Sequence, residues 1–436
     1  MKKITNILLI IYILLLYYLL DTNAKLLITM NFSLYLLLGS IFSTTKYTIN
    51  KNRRLLIYTI LSILLVGVPL SGISYLMGNI LNIKYLNITN LFCCIFLISN
   101  TLIKILSNYQ NNNRIQYIHN IIVILINILL LVILKDKYNI LCLYITSILL
   151  SIPISILVLL IKHKSDNISI KKIKNILITD KEKIFINITR SSYIYISSVI
   201  LYYMLTNIYI NPNANIILSN TFFFGIILVN ALYKIIEKYI TIDNINNYNQ
   251  ILNKVLNISL IICIPLMVVS YPLSKIIFSS NYNMIFPLII LLFFYIIYNT
   301  ILNISINNIS NRKINIGLLF GLLIKMIIEI PLINSTYRMG YDLTLGSILS
   351  TSLSLLVTII LLSIFITRKY KINLLNNFTN ILNIIYTNII YLLLLVLLTL
   401  IVKVDNTKNT TNLLVVFFYI FISILFNVIN KKINRK

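Results

Sequence analysis

The segment HKSDNISIKKIKNILITDKEKI, residues 163–184, is the one long polar connection in a chain that is otherwise apolar from end to end. It carries Lys164, Lys171, Lys172, Lys174, Lys181 and Lys183 and follows Lys162. Lys and Arg accumulate in loops on the cytoplasmic face of a membrane protein, because basic loops resist translocation. Assigning this segment to the cytoplasm therefore fixes the side of every other loop. On its N-terminal side, apolar runs of bilayer-spanning length occupy 4–20, 25–43, 55–78, 87–106, 117–135 and 138–162. On its C-terminal side they occupy 185–206, 215–236, 254–279, 283–303, 314–333, 341–367, 378–402 and 411–430. The hydrocarbon core demands about 20 apolar residues per helical span, since lipid cannot satisfy open backbone groups.

The charges test this reading independently of hydropathy. Counting outward from 163–184, the loops expected inside hold Lys2 and Lys3; Lys46, Lys51, Arg53 and Arg54; and Lys104 and Arg114. Beyond the linker they hold Lys234, Lys238 and Lys254; Arg312 and Lys313; Arg368, Lys369 and Lys371; and the tail with Lys431, Lys432, Arg435 and Lys436. The intervening loops are poor: Lys25; Lys84; Lys135 and Lys137; none at 207–214; Lys275; Arg338; Lys403 and Lys408. The alternation would collapse downstream of any span added or removed. It predicts an all-α, polytopic membrane protein of about 14 helices with both termini cytoplasmic. Residues 1–162 form an N-terminal bundle, 163–184 a basic linker, 185–367 a C-terminal bundle, and 368–436 two additional helices with a basic tail. Both bundles enter from the same side, the topology of a parallel repeat.

Composition agrees. Of 436 residues, 59% are hydrophobic and 11% charged, where a soluble domain carries about 25% charged residues. The net charge of +27 comes with abundant Lys, Ile, Asn and Tyr and no Trp. These are residues of AT-rich codons, so the charge does not argue for nucleic acid as a partner. The four cysteines, Cys93, Cys94, Cys142 and Cys263, sit in apolar runs without metal spacing and read as small buried hydrophobes. No nucleophile elbow, phosphate-binding glycine loop or zinc motif occurs, and no cofactor is expected. The basic, apolar start MKKITNILLIIYILLLYYLL is followed by DTNAKLL, without a small-x-small cleavage site, and reads as a retained first span.

Inside the spans, GLLFGLLIKMIIEIPLI (317–333) stands out. Gly317, Gly321, Lys325 and Glu329 recur every fourth residue and follow one stripe of a helix. Lys325 lies about 18 Å of helix beyond Lys313, at roughly 1.5 Å per residue, near the bilayer centre. A lone charge there costs about 2.5–3.5 kcal/mol on insertion scales. It must pair or face water, and Glu329 one turn on is the available partner. Two readings stay open. The pair can fix helix packing, with the glycines permitting close approach; or Lys325 can face a hydrated cavity and attract an anion such as a phosphate. Arg190 and Lys234, near the cytoplasmic interface, are further candidate substrate-binding cations. Pro69, Pro153, Pro265 and Pro331 mark candidate kinks.

Several stretches together resemble one transporter group. LYLLLGSIFSTTKYTINKNRRLLIYTILSILLVGVPLSGISYLMG (34–78) is similar to its second and third spans. ALYKIIEKYIT (231–241) with NKVLNISLIICIPLMVVSYPLSKIIF (253–278) is similar to spans eight and nine. NRKINIGLLFGLLIKMIIEIPLI (311–333) with YRMGYDLTLGSILSTSLSLL (337–356) is similar to spans eleven and twelve. The group is the multidrug/oligosaccharidyl-lipid/polysaccharide exporter superfamily, and the branch that the chain most resembles is that of stage V sporulation protein B and MurJ-type lipid II flippases. The resemblance implies two six-helix bundles around a cavity open alternately to each side. It implies a cationic path for an undecaprenyl-pyrophosphate-linked sugar in the bacterial plasma membrane, contact with anionic membrane lipids, and a coupling ion, H+ or Na+, with Glu329 as the candidate acid. Such a transporter makes no covalent bond and is not an enzyme. A cation-coupled multidrug exporter is the alternative within the superfamily, but the first six spans embed no Asp or Glu. A membrane enzyme of cell-envelope synthesis is the alternative outside it, and would want a large external loop.

Overall fold

A computed structural model of the chain describes residues 113–134, 181–209, 248–278, 285–341, 343–372 and 378–401, with scattered positions between 4 and 19 and at 229, 232 and 233. The expected spans 25–43, 55–78, 87–106, 138–162 and 411–430 lie outside the described residues, as do most of 4–20 and 215–236, and the linker up to residue 180. The chain divides into two compact units, Met1–Phe224 and Gly225–Lys436.

In the first unit, α1 spans Asn113–Leu134 and α2 spans Lys181–Tyr203. α2 begins four residues ahead of the apolar run at 185. Nothing in KEKI breaks a helix, and Glu182 in the first turn complements the positive helix start. Two of its hydroxyls are satisfied within the helix: Thr189 donates to the Phe185 carbonyl at 2.9 Å and Ser192 to that of Ile188 at 2.7 Å. α2 ends in a π-helical turn, Met204–Ile208, with the Tyr209 N–H reaching the Met204 carbonyl at 2.9 Å.

In the second unit the described helices are α3 (Tyr248–Val268), α4 (Ser270–Phe278), α5 (Ile285–Asn308), α6 (Asn311–Arg338), α7 (Leu343–Tyr370) and α8 (Phe378–Ile401). They correspond to the expected spans at 254–279, 283–303, 314–333, 341–367 and 378–402, the first divided at Val269, four residues after Pro265. α6 runs unbroken through Pro331. α3 at its start, α5 and α7 at their ends and α6 at both ends outrun the apolar segments by three to six residues. At 28 residues, α6 is about 42 Å long against a hydrocarbon core of about 30 Å. α3, α5, α6 and α7 are long and apolar enough to cross a membrane.

α5 is the inner helix. It packs on α3, α4 and α7, and α6 packs mainly on α7, while α8 lies along α3. Apolar residues cover most of its circumference and are buried, among them Leu292, Ile296, Ile301 and Leu302. α6 is buried along one stripe only. Its other face exposes Phe320, Leu323, Ile327 (70% exposed) and Ile330, an apolar surface suited to a membrane-spanning helix.

The α6–α7 reversal is set locally. Gly340 takes a φ of 79°, a left-handed conformation that costs glycine nothing. The Gly340 and Tyr341 N–H groups then cap the Tyr337 and Thr336 carbonyls at 2.9 and 3.0 Å. At the opposite end of the unit, Lys369 donates to the Asn308 carbonyl, and the Tyr370 hydroxyl lies 3.3 Å from Asn308 Oδ1. The Tyr248 hydroxyl donates to Ser363 Oγ at 3.0 Å. These contacts gather the start of α3, the end of α5, the start of α6 and the end of α7 at one end. Exposed Lys254, Arg312, Lys313, Arg368, Lys369 and Lys371 all lie there, while Arg338 lies at the other. The charge asymmetry read along the chain is therefore an asymmetry between the two ends of one helix bundle.

Candidate functional site

The stripe of α6 expected from its four-residue spacing is the helix's buried face. Gly317, Gly321, Lys325 and Glu329 are all enclosed, and both charged side chains are 0% exposed. In an α-helix, residues four apart stand one above the other, so Lys325 and Glu329 meet: the ammonium lies 4.0 Å from Glu329 Oε2. Such a pair at an effective dielectric of about 20 attracts by roughly 4 kcal/mol. Desolvating each ion costs several kcal/mol, so the pair does not stabilise itself without further hydrogen bonds.

α7 supplies those bonds. Lys325 donates to Thr351 Oγ1, and Ser347 Oγ donates to Glu329 Oε1 at 2.8 Å. Thr351 in turn donates to the Ser347 carbonyl at 2.8 Å, which orients its oxygen lone pairs towards the ammonium. The antiparallel register does the matching: moving one turn up α6, from Lys325 to Glu329, moves one turn down α7, from Thr351 to Ser347. The result is a net-neutral cluster of two charges and two hydroxyls spanning the helix interface, in which Glu329 Oε2 faces the ammonium without a hydrogen bond.

Small residues on both helices allow this reach. A β-carbon at Gly346 would fall 2.6 Å from Ile333 Cα and 2.7 Å from Thr336 Oγ1, so only glycine lets α7 approach the α6 backbone there. A β-carbon at Gly317 would lie 3.2 Å from Leu362 Cδ2, so the expected packing glycine lies against α7. Gly321 is buried between them in sequence and on the same face.

The remaining candidates are dispersed. Arg190 is half-buried on α2 in the first unit, where it is engaged by a partner. Lys234 lies outside the described residues. Ser347 and Thr351 are site residues that sequence reading missed. Their signal was present in GSILSTSLSLLVT (346–358), where Ser347, Ser350, Thr351, Ser354 and Thr358 recur at helical spacing. Ser350, Ser354 and Thr358 spend their hydroxyls on their own helix, on the carbonyls of Ser347, Thr351 and Ser354 at 2.8, 2.7 and 2.9 Å. Nothing in the spacing distinguishes these from the two whose hydroxyls reach α6.

No family model matches the chain, and no curated protein sequence matches it. Among solved structures it is similar to one described as lipid II flippase MurJ in an inward closed conformation. The TM-score is 0.66 at 16% sequence identity, over 100% of this chain and 98% of that one. The likeness runs the full length of both chains and establishes the fold: all-helical and multi-pass, of the kind seen in that flippase.

Proposed function

We propose that the chain is a flippase that carries undecaprenyl-pyrophosphate-linked saccharides, lipid II or a related polysaccharide precursor, across the bacterial plasma membrane by alternating access. The observation that supports this reading is the full-length likeness in fold to a lipid II flippase. The sequence resemblance to the same superfamily, drawn from separate stretches of the chain, points the same way; the sporulation-protein branch rests on that resemblance alone.

Moving a sugar pyrophosphate across a membrane breaks no covalent bond, so the work is electrostatic. The headgroup needs a hydrated, cationic path, because its charges would cost many kcal/mol in hydrocarbon. Arg190 and Lys234, at opposite ends of successive predicted spans near the cytoplasmic interface, are the cations proposed to receive the pyrophosphate. The basic end of the second unit, with Arg312, Lys313 and Arg368, faces the cytoplasm in this reading, puts both termini inside, and draws anionic lipids to that surface. An H+ or Na+ gradient, or the membrane potential, drives the return step.

Complementation tests the proposal. In a bacterial strain depleted of its own lipid II flippase, expression of this chain restores growth and the exposure of lipid II at the outer surface. Membrane expression at normal level without restored exposure would reject lipid II as the substrate. Restored export of another undecaprenyl-linked glycan in a matched mutant would then reassign it.

A further inference from the structure

We infer that Lys325 and Glu329 are positioning residues rather than substrate ligands: with Ser347 and Thr351 they lock α6 and α7 into one body that moves as a unit during transport. The second half of this inference rests on the proposed transport activity. The lock itself rests on geometry. Lys325, Glu329 and Ser347 are buried at the α6–α7 interface, both charged side chains 0% exposed, and Thr351 beside them is half-buried. The ammonium is already held by Thr351 and faces the Glu329 carboxylate at 4.0 Å. A pyrophosphate would have to displace both to bind, and would part the Glu329 carboxylate from its buried counter-charge.

The cluster is flanked on both sides by intimate packing, Gly317 against Leu362 and Gly346 against the Ile333 backbone. Sliding α6 along α7 by one turn would part Lys325 from Thr351 and Glu329 from Ser347 together, and would drive the Ile333 backbone away from the one glycine that admits it. Packed interfaces of this kind hold one register or another and do not deform continuously. The hinge of any alternating-access motion therefore falls outside this helix pair. Beside the ion pair, the face of α6 turned away from α7 carries Leu323, Ile327 and Ile330, which offer a sugar no hydrogen bond.

Two measurements test this. A β-carbon at Gly317 would sit 3.9 Å from Leu361 Cβ, within the roughly 3.5–4.5 Å of a relaxed disulfide. In a background free of Cys93, Cys94, Cys142 and Cys263, the pair Gly317→Cys and Leu361→Cys is oxidised in membranes. The expected result is a complete cross-link, scored by mobility on a gel, with outer-surface exposure of lipid II unchanged within about twofold, as for a link inside a rigid element. A cross-link that stops transport overturns the rigid pair, and a cross-link that does not form overturns the packing.

The second measurement compares Lys325→Met, Glu329→Gln and the double variant. Each single change leaves a buried charge or polar group without its counterpart, so each lowers thermal stability in detergent and cuts transport by roughly tenfold or more. The double variant recovers stability and transport to within about threefold, as removal of both partners of a buried pair does. A double variant as stable as the wild type yet inactive would assign Lys325 or Glu329 to the substrate and overturn the inference. One no more stable than the single variants would overturn the lock. If the unmodified chain restores no transport, the flippase proposal fails by itself, and cross-link yield and thermal midpoint still judge the lock.

Discussion

α5 and α6 are neighbours in the chain, both are long and apolar enough to cross a membrane, and both bury polar side chains, yet Asn299, Thr300 and Ser305 of α5 are satisfied differently from the two charges of α6. On α5 three buried polar side chains bond their own helix. Asn299 donates to the Tyr295 carbonyl at 2.8 Å, Thr300 to that of Ile296 at 2.9 Å, and Ser305 to that of Ile301 at 2.8 Å. On α6 the two charges reach across to Ser347 and Thr351 of α7. A side chain that bonds its own backbone one turn away is content beside any neighbour. One that needs a partner on another helix specifies which helix, in which direction and at which register. α5 is accordingly held largely by apolar packing, with Asn308 bonded to α7 only at its end, whereas α6, apolar and exposed on one side, is held to α7 by a specific polar cluster at its middle.

That contrast can be broken where it is strongest. Glu329→Leu leaves the Lys325 ammonium buried without its carboxylate and should destabilise the protein by about 3–5 kcal/mol, the usual cost of breaking a buried pair from one side; equilibrium unfolding in mixed micelles measures it. Gly346→Val puts a branched side chain where even a β-carbon meets the Ile333 backbone at 2.6 Å, and overpacking of this kind costs about 1–3 kcal/mol. The same variant should lower the yield of the 317–361 cross-link, since it wedges the helices apart. Ser347→Ala removes one donor to Glu329 and should cost about 1–2 kcal/mol. Its effect should shrink in the Glu329→Gln background, which a double-mutant cycle reads directly. At the bottom of the scale, Thr300→Val on α5 should change stability by less than about 0.5 kcal/mol, since its hydroxyl bonds only its own helix. A Thr300 effect as large as that of Ser347 would erase the distinction between the two helices.

Much of this was legible along the chain. The membrane-spanning segments announce themselves because a bilayer imposes a length and forbids charge, and those constraints act on consecutive residues. The described helices α1, α2, α3 with α4, α5, α6, α7 and α8 each fall on an expected span, and several ends, such as both ends of α6, overrun it by a few residues because hydropathy marks the lipid boundary, not the last helical turn. The stripe of Gly317, Gly321, Lys325 and Glu329 was equally readable, since a period of four on a helix names a face whatever lies opposite.

What lay opposite was not readable. The same spacing that singled out Lys325 was compatible with a water-filled cavity and with an enclosed pair, and the structure encloses it at 0% exposure. Ser347 and Thr351 were hidden among hydroxyls of identical spacing, because only the antiparallel register of α6 on α7 turns two of them towards the charges. Gly346, unremarkable in sequence, proves to be the point of closest approach. By itself the sequence determined how many polar faces must be reconciled with lipid and which residues lie on them, since periodicity and hydropathy are local. Only the tertiary structure decided which faces meet, because a partner for a buried charge is chosen by the docking of whole helices, and residues close in space there are far apart in the chain.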